Sequence, residues 1–233
     1  MQFSGEELRC VSAVLSEQRF AAYVSAANGD HGTALSLYRW NMELSAAFLV
    51  PLHIFEVSLR NSIARAIENI YGQNWPWEKS FEISLRNPPR VYSPRRDLQA
   101  VGAKTSNRGK VIAELKLVFW ERMFTRSHDD AIWRTQFPVV FPNADRSLAI
   151  RQSRGDGFEK VQKIRDLRNR IAHHEPVFTR DLSREYEYIR EMIYWTDDVT
   201  ARWVDRIQGV TALIACRPQG VECYDRDEAG RRP

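Results

Sequence analysis

Between Thr33 and Tyr71 the chain has little choice of secondary structure. Leu35, Tyr38, Trp40, Leu44, Phe48 and Leu49, followed by Phe55, Leu59, Ile63, Ile67 and Ile70, recur at the three- and four-residue spacing that lines up along an α-helix. The first part of this run is apolar enough to be buried on more than one side. Pro51 lacks an amide hydrogen and crowds the preceding turn, so it is expected to kink or break the helix there. A second helix then runs from Leu52 to Tyr71 and stops at Gly72.

The same periodicity extends to both sides. Leu8, Val11, Val14, Leu15 and Ala22 predict an amphipathic helix over Glu6 to Ser25, closed by Asn28-Gly29-Asp30-His31-Gly32. Further helices are expected over Gly109 to Thr125, over Asp129 to Phe137, and over Ser147 to His174, with Gly155 and Gly157 as a weak point. A last helix is expected from Leu182 to Gly209, packing Tyr186, Ile189, Ile193, Trp203 and Ile207. Gln73 to Lys104 carries Pro76, Pro88, Pro89 and Pro94 together with Arg86, Arg90, Arg95 and Arg96, and reads as a mobile loop region. No alternating strand pattern stands out, so the expected fold is all-α. Residues 1–216 are expected to form one helical domain and 217–233 a disordered charged tail.

Composition narrows the setting. Seven Trp, eight Tyr and eleven Phe in 233 residues provide ample material for a core without staples. Trp40, Trp120, Trp133, Trp195 and Trp203 read as core anchors. The formal charge of +4 is compatible with a polyanionic partner and does not by itself establish one. Cys10, Cys216 and Cys223 are few, odd in number and far apart, which suits reduced thiols and no metal site. The acidic start, with Glu6 and Glu7, is unlike an export signal, and the most apolar window, Leu44 to Val57, includes Pro51, His53 and Glu56. A cytoplasmic protein without a membrane segment is therefore expected.

The stretch from Ile164 to Pro176 carries the chemistry. At about 100° per residue, Ile164, Leu167 and Ile171 share one face and form the packed side. Asn169 and His173 lie together on roughly the opposite face, with Arg168 and His174 on the two edges. Pro176 stops the helix, so both histidines are expected in its last turn, where the negative end of the dipole attracts cations. Arginine offers a permanent planar cation for phosphate, and histidine moves protons near neutrality. The plainer reading of the same residues is a helix end capped by histidines, with its arginines solvated or paired to Asp166 and Glu175.

In this context the chain resembles the Abi-like family of abortive-infection phage-resistance proteins, within the broader HEPN class of helical ribonucleases. The likeness rests on Phe55-Glu56-Val57-Ser58-Leu59-Arg60-Asn61 leading to Tyr71-Gly72 and Trp75, on Gly109-Lys110-Val111-Ile112-Ala113-Glu114-Leu115 followed by Phe119-Trp120, and on the Arg168 to Pro176 block. Arg168, Asn169 and His173 match the arginine, polar residue and downstream histidine of the HEPN signature. The resemblance implies a HEPN-like helical bundle and a metal-independent, cofactor-free endoribonuclease acting as a homodimer. It assigns Arg168 and His173 the catalytic roles, with Asn169 beside them; His174 also satisfies the spacing. An antitoxin or a small RNA is the regulator that it implies.

RNA supplies its own nucleophile, the 2′-hydroxyl. The expected roles are proton transfer by His173 and neutralisation of the phosphorane by Arg168. Arg60 and Asn61 are expected either to line the same cleft or, for Arg60, to pair with Glu56 along the helix. Arg90, Arg95 and Arg96, with Arg86 and Tyr92, are candidate contacts to single-stranded RNA. The alternative is an RNA-binding or protein-interaction module on the same scaffold without turnover. A helix-turn-helix DNA regulator is disfavoured, since no compact helix pair with a polar recognition face is present.

Overall fold

The computed structural model describes residues 3–218, and the expected tail lies outside the described residues apart from Arg217 and Pro218. The described residues form twelve α-helices in order: α1 (Gly5–Leu15), α2 (Glu17–Ala26), α3 (His31–Tyr71), α4 (Lys79–Ser84), α5 (Pro94–Gly102), α6 (Arg108–Glu114), α7 (Leu117–Met123), α8 (Arg134–Val140), α9 (Ile150–Ala172), α10 (Leu182–Thr196), α11 (Asp198–Ile207) and α12 (Val210–Ala215). No strand occurs among the described residues, and the fold is all-α. The chain divides into two compact units. Among the described residues, the first comprises 3–50, Leu167–Glu187 and 207–218; the second comprises Pro51–Asp166 and Tyr188–Arg206.

Local chemistry explains several departures from the expected boundaries. The N-terminal helix begins with a capping box, in which the Ser4 hydroxyl accepts from the Glu7 amide and the Glu7 carboxylate accepts from the Ser4 amide. It does not run to Ser25, because Ser16 takes φ +66° and separates α1 from α2. Of the apolar residues expected on its packed face, Leu8 and Leu15 are half-buried, whereas Val11, Val14 at 85% and Ala22 are exposed, and α1 fully buries none. Asp30 starts α3 by accepting from the Thr33 amide at 2.7 Å.

Pro51 does not interrupt α3, which is continuous for 41 residues. A proline inside a helix costs about 3 kcal/mol. Here Phe48 on one side and Leu52 and Phe55 on the other are all buried, so side-chain packing holds the helical path through the residue. By length and composition α3 would also be able to cross a membrane, a test that core helices pass as well. At its end Gly72 adopts φ +82° and its amide bonds to the Glu68 carbonyl at 2.8 Å, as a glycine stop requires.

The stretch from Gln73 to Lys104 is more ordered than its prolines suggest. It contains a 3-10 turn at Trp75–Trp77 as well as α4 and α5. Pro94 occupies the first turn of α5 behind Ser93, whose hydroxyl accepts from the Arg96 amide. That is where proline favours a helix, because the missing amide hydrogen would have had no partner. Leu115 and Lys116 likewise split the expected Gly109 to Thr125 helix into α6 and α7. Asp197 ends α10 and restarts the chain as α11, accepting from the Thr200 amide at 2.6 Å. The restart resets the helical phase: Ala201 and Val204 turn inward, whereas Trp203 and Ile207, expected in the core, are 42% and 45% exposed.

In the second unit an aromatic cluster supplies the centre of the core. Phe124 stacks on Trp133 with centroids 5.3 Å apart, and Phe137 and Phe141 meet Trp195 edge-on at 5.9 and 6.1 Å. The helix α9 crosses this cluster unbroken at Gly155 and Gly157. Gly157 is a contact point: a Cβ there would lie 2.8 Å from Phe124 Cε1 and 3.1 Å from Trp195 Cζ3. Gly155 faces open space. Replacing Gly155 by alanine should therefore stabilise the protein by about 1 kcal/mol through helix propensity. Gly157→Ala should destabilise it by about 1–3 kcal/mol through overpacking. Urea unfolding of the two variants checks the opposite signs.

Candidate functional site at the end of helix α9

The arginine-histidine block lies in the first unit, at the C-terminal end of α9. Leu167 and Ile171 are buried, as their spacing predicts, and place Arg168, Asn169 and Arg170 on half-buried flanks. Arg168 is engaged with a partner of its own. The helix stops at Ala172, one residue before the paired histidines. The His173 amide still bonds to the Asn169 carbonyl at 2.9 Å, making His173 the cap.

His174 lies beyond the helix and takes φ +55°, so the expectation that both histidines share the last turn is corrected. Its amide bonds back to the Ile171 carbonyl at 3.1 Å and the Glu175 amide to the Arg170 carbonyl at 2.8 Å. This pair is a Schellman arrangement, whose left-handed position usually belongs to glycine. A histidine there turns its side chain away from the helical wheel from which its direction was judged.

Three side chains hold this turn. Arg170 donates through Nε and Nη2 to the Pro176 carbonyl at 3.2 and 2.9 Å, with Glu175 3.7 Å away. Arg19 of α2 donates to the His174 carbonyl at 3.1 Å. Asn41, buried within α3, accepts from the amides of both Val177 and Phe178 at 2.8 and 3.2 Å. Phe178 packs on Tyr23 with centroids 5.0 Å apart, and burial pushes the Tyr23 hydroxyl pKa well up, so it stays protonated. None of Arg19, Asn41 and Arg170 was identified from sequence as a site residue. Asn41 left a signal: it is the one polar position in the buried series Leu37, Asn41, Leu44, Phe48.

Two cavities meet at His174. One, of about 540 Å³, is of mixed character and is lined by Arg19, Arg170, His174, Glu175 and Thr179 among others. The second, of about 640 Å³, is largely apolar and runs past Val14, Leu15, Met42, Leu49 and Ile171. His174 and Arg19 belong to both. His173 is exposed and lines neither of them. His173, expected to be the freer imidazole, is open to solvent; His174 is exposed as well and borders both cavities.

Glu56, Arg60 and Asn61 belong to the second unit. Arg60 pairs with Glu56 at 2.7 Å and donates to the Ala113 carbonyl at 3.1 Å, which is the helix-face role; Asn61 is exposed. Arg95 donates to the Ile83 and Leu85 carbonyls, and Arg96 to Pro89 and Val91, so these two guanidinium groups brace the loop they were expected to extend from. Arg90 is exposed. Tyr92 donates to Asp97 at 2.7 Å. Among the described residues no group of three or more His, Cys, Asp or Glu is arranged to hold a metal ion.

Holding a side chain in the left-handed region costs roughly 1–2 kcal/mol, and glycine avoids most of it. His174→Gly should accordingly raise stability by about 1 kcal/mol, measured by thermal or urea unfolding. Asn41→Ala should lower it by about 1–3 kcal/mol, because two buried amides lose their acceptor.

Comparison of the chain with protein-family models, with curated proteins and with solved structures finds no match.

Proposed function

We propose that the protein is a metal-independent endoribonuclease of the HEPN type, of the kind used in abortive infection, working as a homodimer in the cytoplasm. The observation carrying this reading is the end of α9. One short turn exposes His173, sets His174 beside a cavity lined by Arg19, Arg170 and Glu175, and keeps half-buried Arg168 and Asn169 one turn behind.

In this reading an imidazole of the His173-His174 pair takes the proton of the RNA 2′-hydroxyl. The resulting alkoxide attacks the adjacent phosphorus, and Arg168 offsets charge on the phosphoryl oxygens. The 5′-oxygen leaves as it gains a proton from a second imidazole, producing a 2′,3′-cyclic phosphate. A second copy of the chain would supply that imidazole. Support for a second copy comes from the apolar cavity beside His174, whose walls include Met42 at 50% and Leu49 at 55% exposure. Apolar surface of this kind is favourable to cover.

Incubation of the purified protein with total RNA in chelator should yield fragments with cyclic phosphate ends. Arg168→Ala and His173→Ala should each slow cleavage by about 10²–10⁴-fold. Fragmentation that persists in the double variant would overturn the assignment. Leu49→Glu should shift the protein toward monomer in sedimentation velocity and reduce cleavage in parallel. RNA retention without fragments would instead favour a binding module on the same scaffold.

A further inference from the structure

The second unit contains a cavity of about 440 Å³ whose lining includes Arg86, Arg122, Tyr92, Val91, Thr125 and His128. An adjoining cavity of about 410 Å³ shares Arg86 and Thr125 and adds Arg126, Ser127 and Arg154. No aspartate or glutamate lines either of them.

The cations are unevenly neutralised. Arg154 is held by Asp129 at 2.9 Å and donates to the Phe124 carbonyl. Arg122 has a carboxylate oxygen of Glu121 only at 4.0 Å, and that carboxylate is already 2.7 Å from Arg165. Arg86 and Arg126 are exposed and form no ion pair among the described residues. Cationic side chains in a concave site with low-dielectric walls focus the field on whatever anion enters. His128 is buried in the wall; burial, reinforced by Arg86 and opposed by Asp129, holds its pKa down to about 4. It is therefore neutral near pH 7 and offers a hydrogen bond without further charge.

The remaining walls differ. Pro88, Val91 and Pro94 are apolar, and the Tyr92 ring is fixed by the bond from its hydroxyl to Asp97. Asn87 adds an amide beside them. We infer that this cavity is a binding site for a nucleoside 5′-phosphate, either free or as the 5′ end of an RNA. Arg86 and Arg122 take the phosphate by charge-assisted hydrogen bonds, and the base lies against the proline, valine and tyrosine walls. Inorganic phosphate would leave those walls uncovered, and a metal cation would find no carboxylate. The volume falls in the usual range for small-molecule sites. Because the site uses none of Arg168, Asn169, His173 or His174, it extends beyond the nuclease reading and stands without it.

The test is calorimetric titration, at constant ionic strength, of full-length protein carrying Arg168→Ala and His173→Ala, so that added RNA stays intact. The ligands are AMP, adenosine, and a short oligoribonucleotide with and without a 5′-phosphate. AMP is expected to bind about tenfold or more tightly than adenosine, and Arg122→Gln to remove most of that difference. Preference for the phosphorylated oligonucleotide over its 5′-hydroxyl twin would identify an RNA end as the occupant. Discrimination with AMP alone would identify a free nucleotide. The proposal is overturned if neither pair is distinguished. It is equally overturned if an Arg86→Gln, Arg122→Gln double variant, shown by thermal melting to be folded, binds as before.

Discussion

The end of helix α9 depends on one buried carboxamide. Asn41 sits on the inward stripe of α3, between Leu37 and Leu44, where an unpaired polar group would be costly. Its oxygen instead takes the amides of Val177 and Phe178, the residues that follow the arginine-histidine block. This fixes the chain at the point where it leaves the turn. Arg170 ties the Pro176 carbonyl next to it, and Arg19 ties the His174 carbonyl. The left-handed backbone at His174 is thus over-determined from both sides, which is the condition under which a non-glycine residue persists there.

In the second unit the same helix is held by charge. Glu121 of α7 is fully buried, and burial raises its carboxyl pKa against the pull of Arg165. The two groups lie 2.7 Å apart without the alignment of a hydrogen bond, so their attraction is mainly Coulombic. Little more than one turn earlier, Lys160 is buried over Trp195 and paired with both Asp156 and Glu191. Removing one member of such a pair is more damaging than replacing both, because the survivor is left charged in a poor solvent.

What the sequence made legible follows from which forces are local. Ile164, Leu167 and Ile171 could be placed inward because helical periodicity is a single geometric rule, and Gly72 could be placed as a stop because few other residues accept its dihedral angles. The breaks at Ser16, Lys116 and Asp197 were less legible, since they do not interrupt the apolar pattern strongly. Pro94 stands in a proline-rich stretch that reads as loop, although a serine followed by proline is also how a helix begins. Gly157 resembled a flaw in α9, and its reason lies in two aromatic residues that are distant in sequence. At the end of α9, the positions of Arg168 and Asn169 beside the buried Leu167 and Ile171 follow from the same periodicity. That His174 lies past the last helical turn was not legible, because a single left-handed non-glycine residue leaves no mark on the apolar pattern. Arg19 and Arg170 act on carbonyls, and carbonyl acceptors leave no trace in a sequence.

The bracing of the segment between α4 and α5 bears on how its cavity would receive a ligand. Arg95 and Arg96 each donate into carbonyls of the loop that forms one wall, and Ser93 bonds to Asn87 within it. A loop already cross-linked by its own guanidinium groups has little conformational freedom left to lose. Occupancy should then proceed with a small entropic penalty and little reshaping of the wall, so that the selectivity of this pocket is set by its preformed outline and not by closure around the guest.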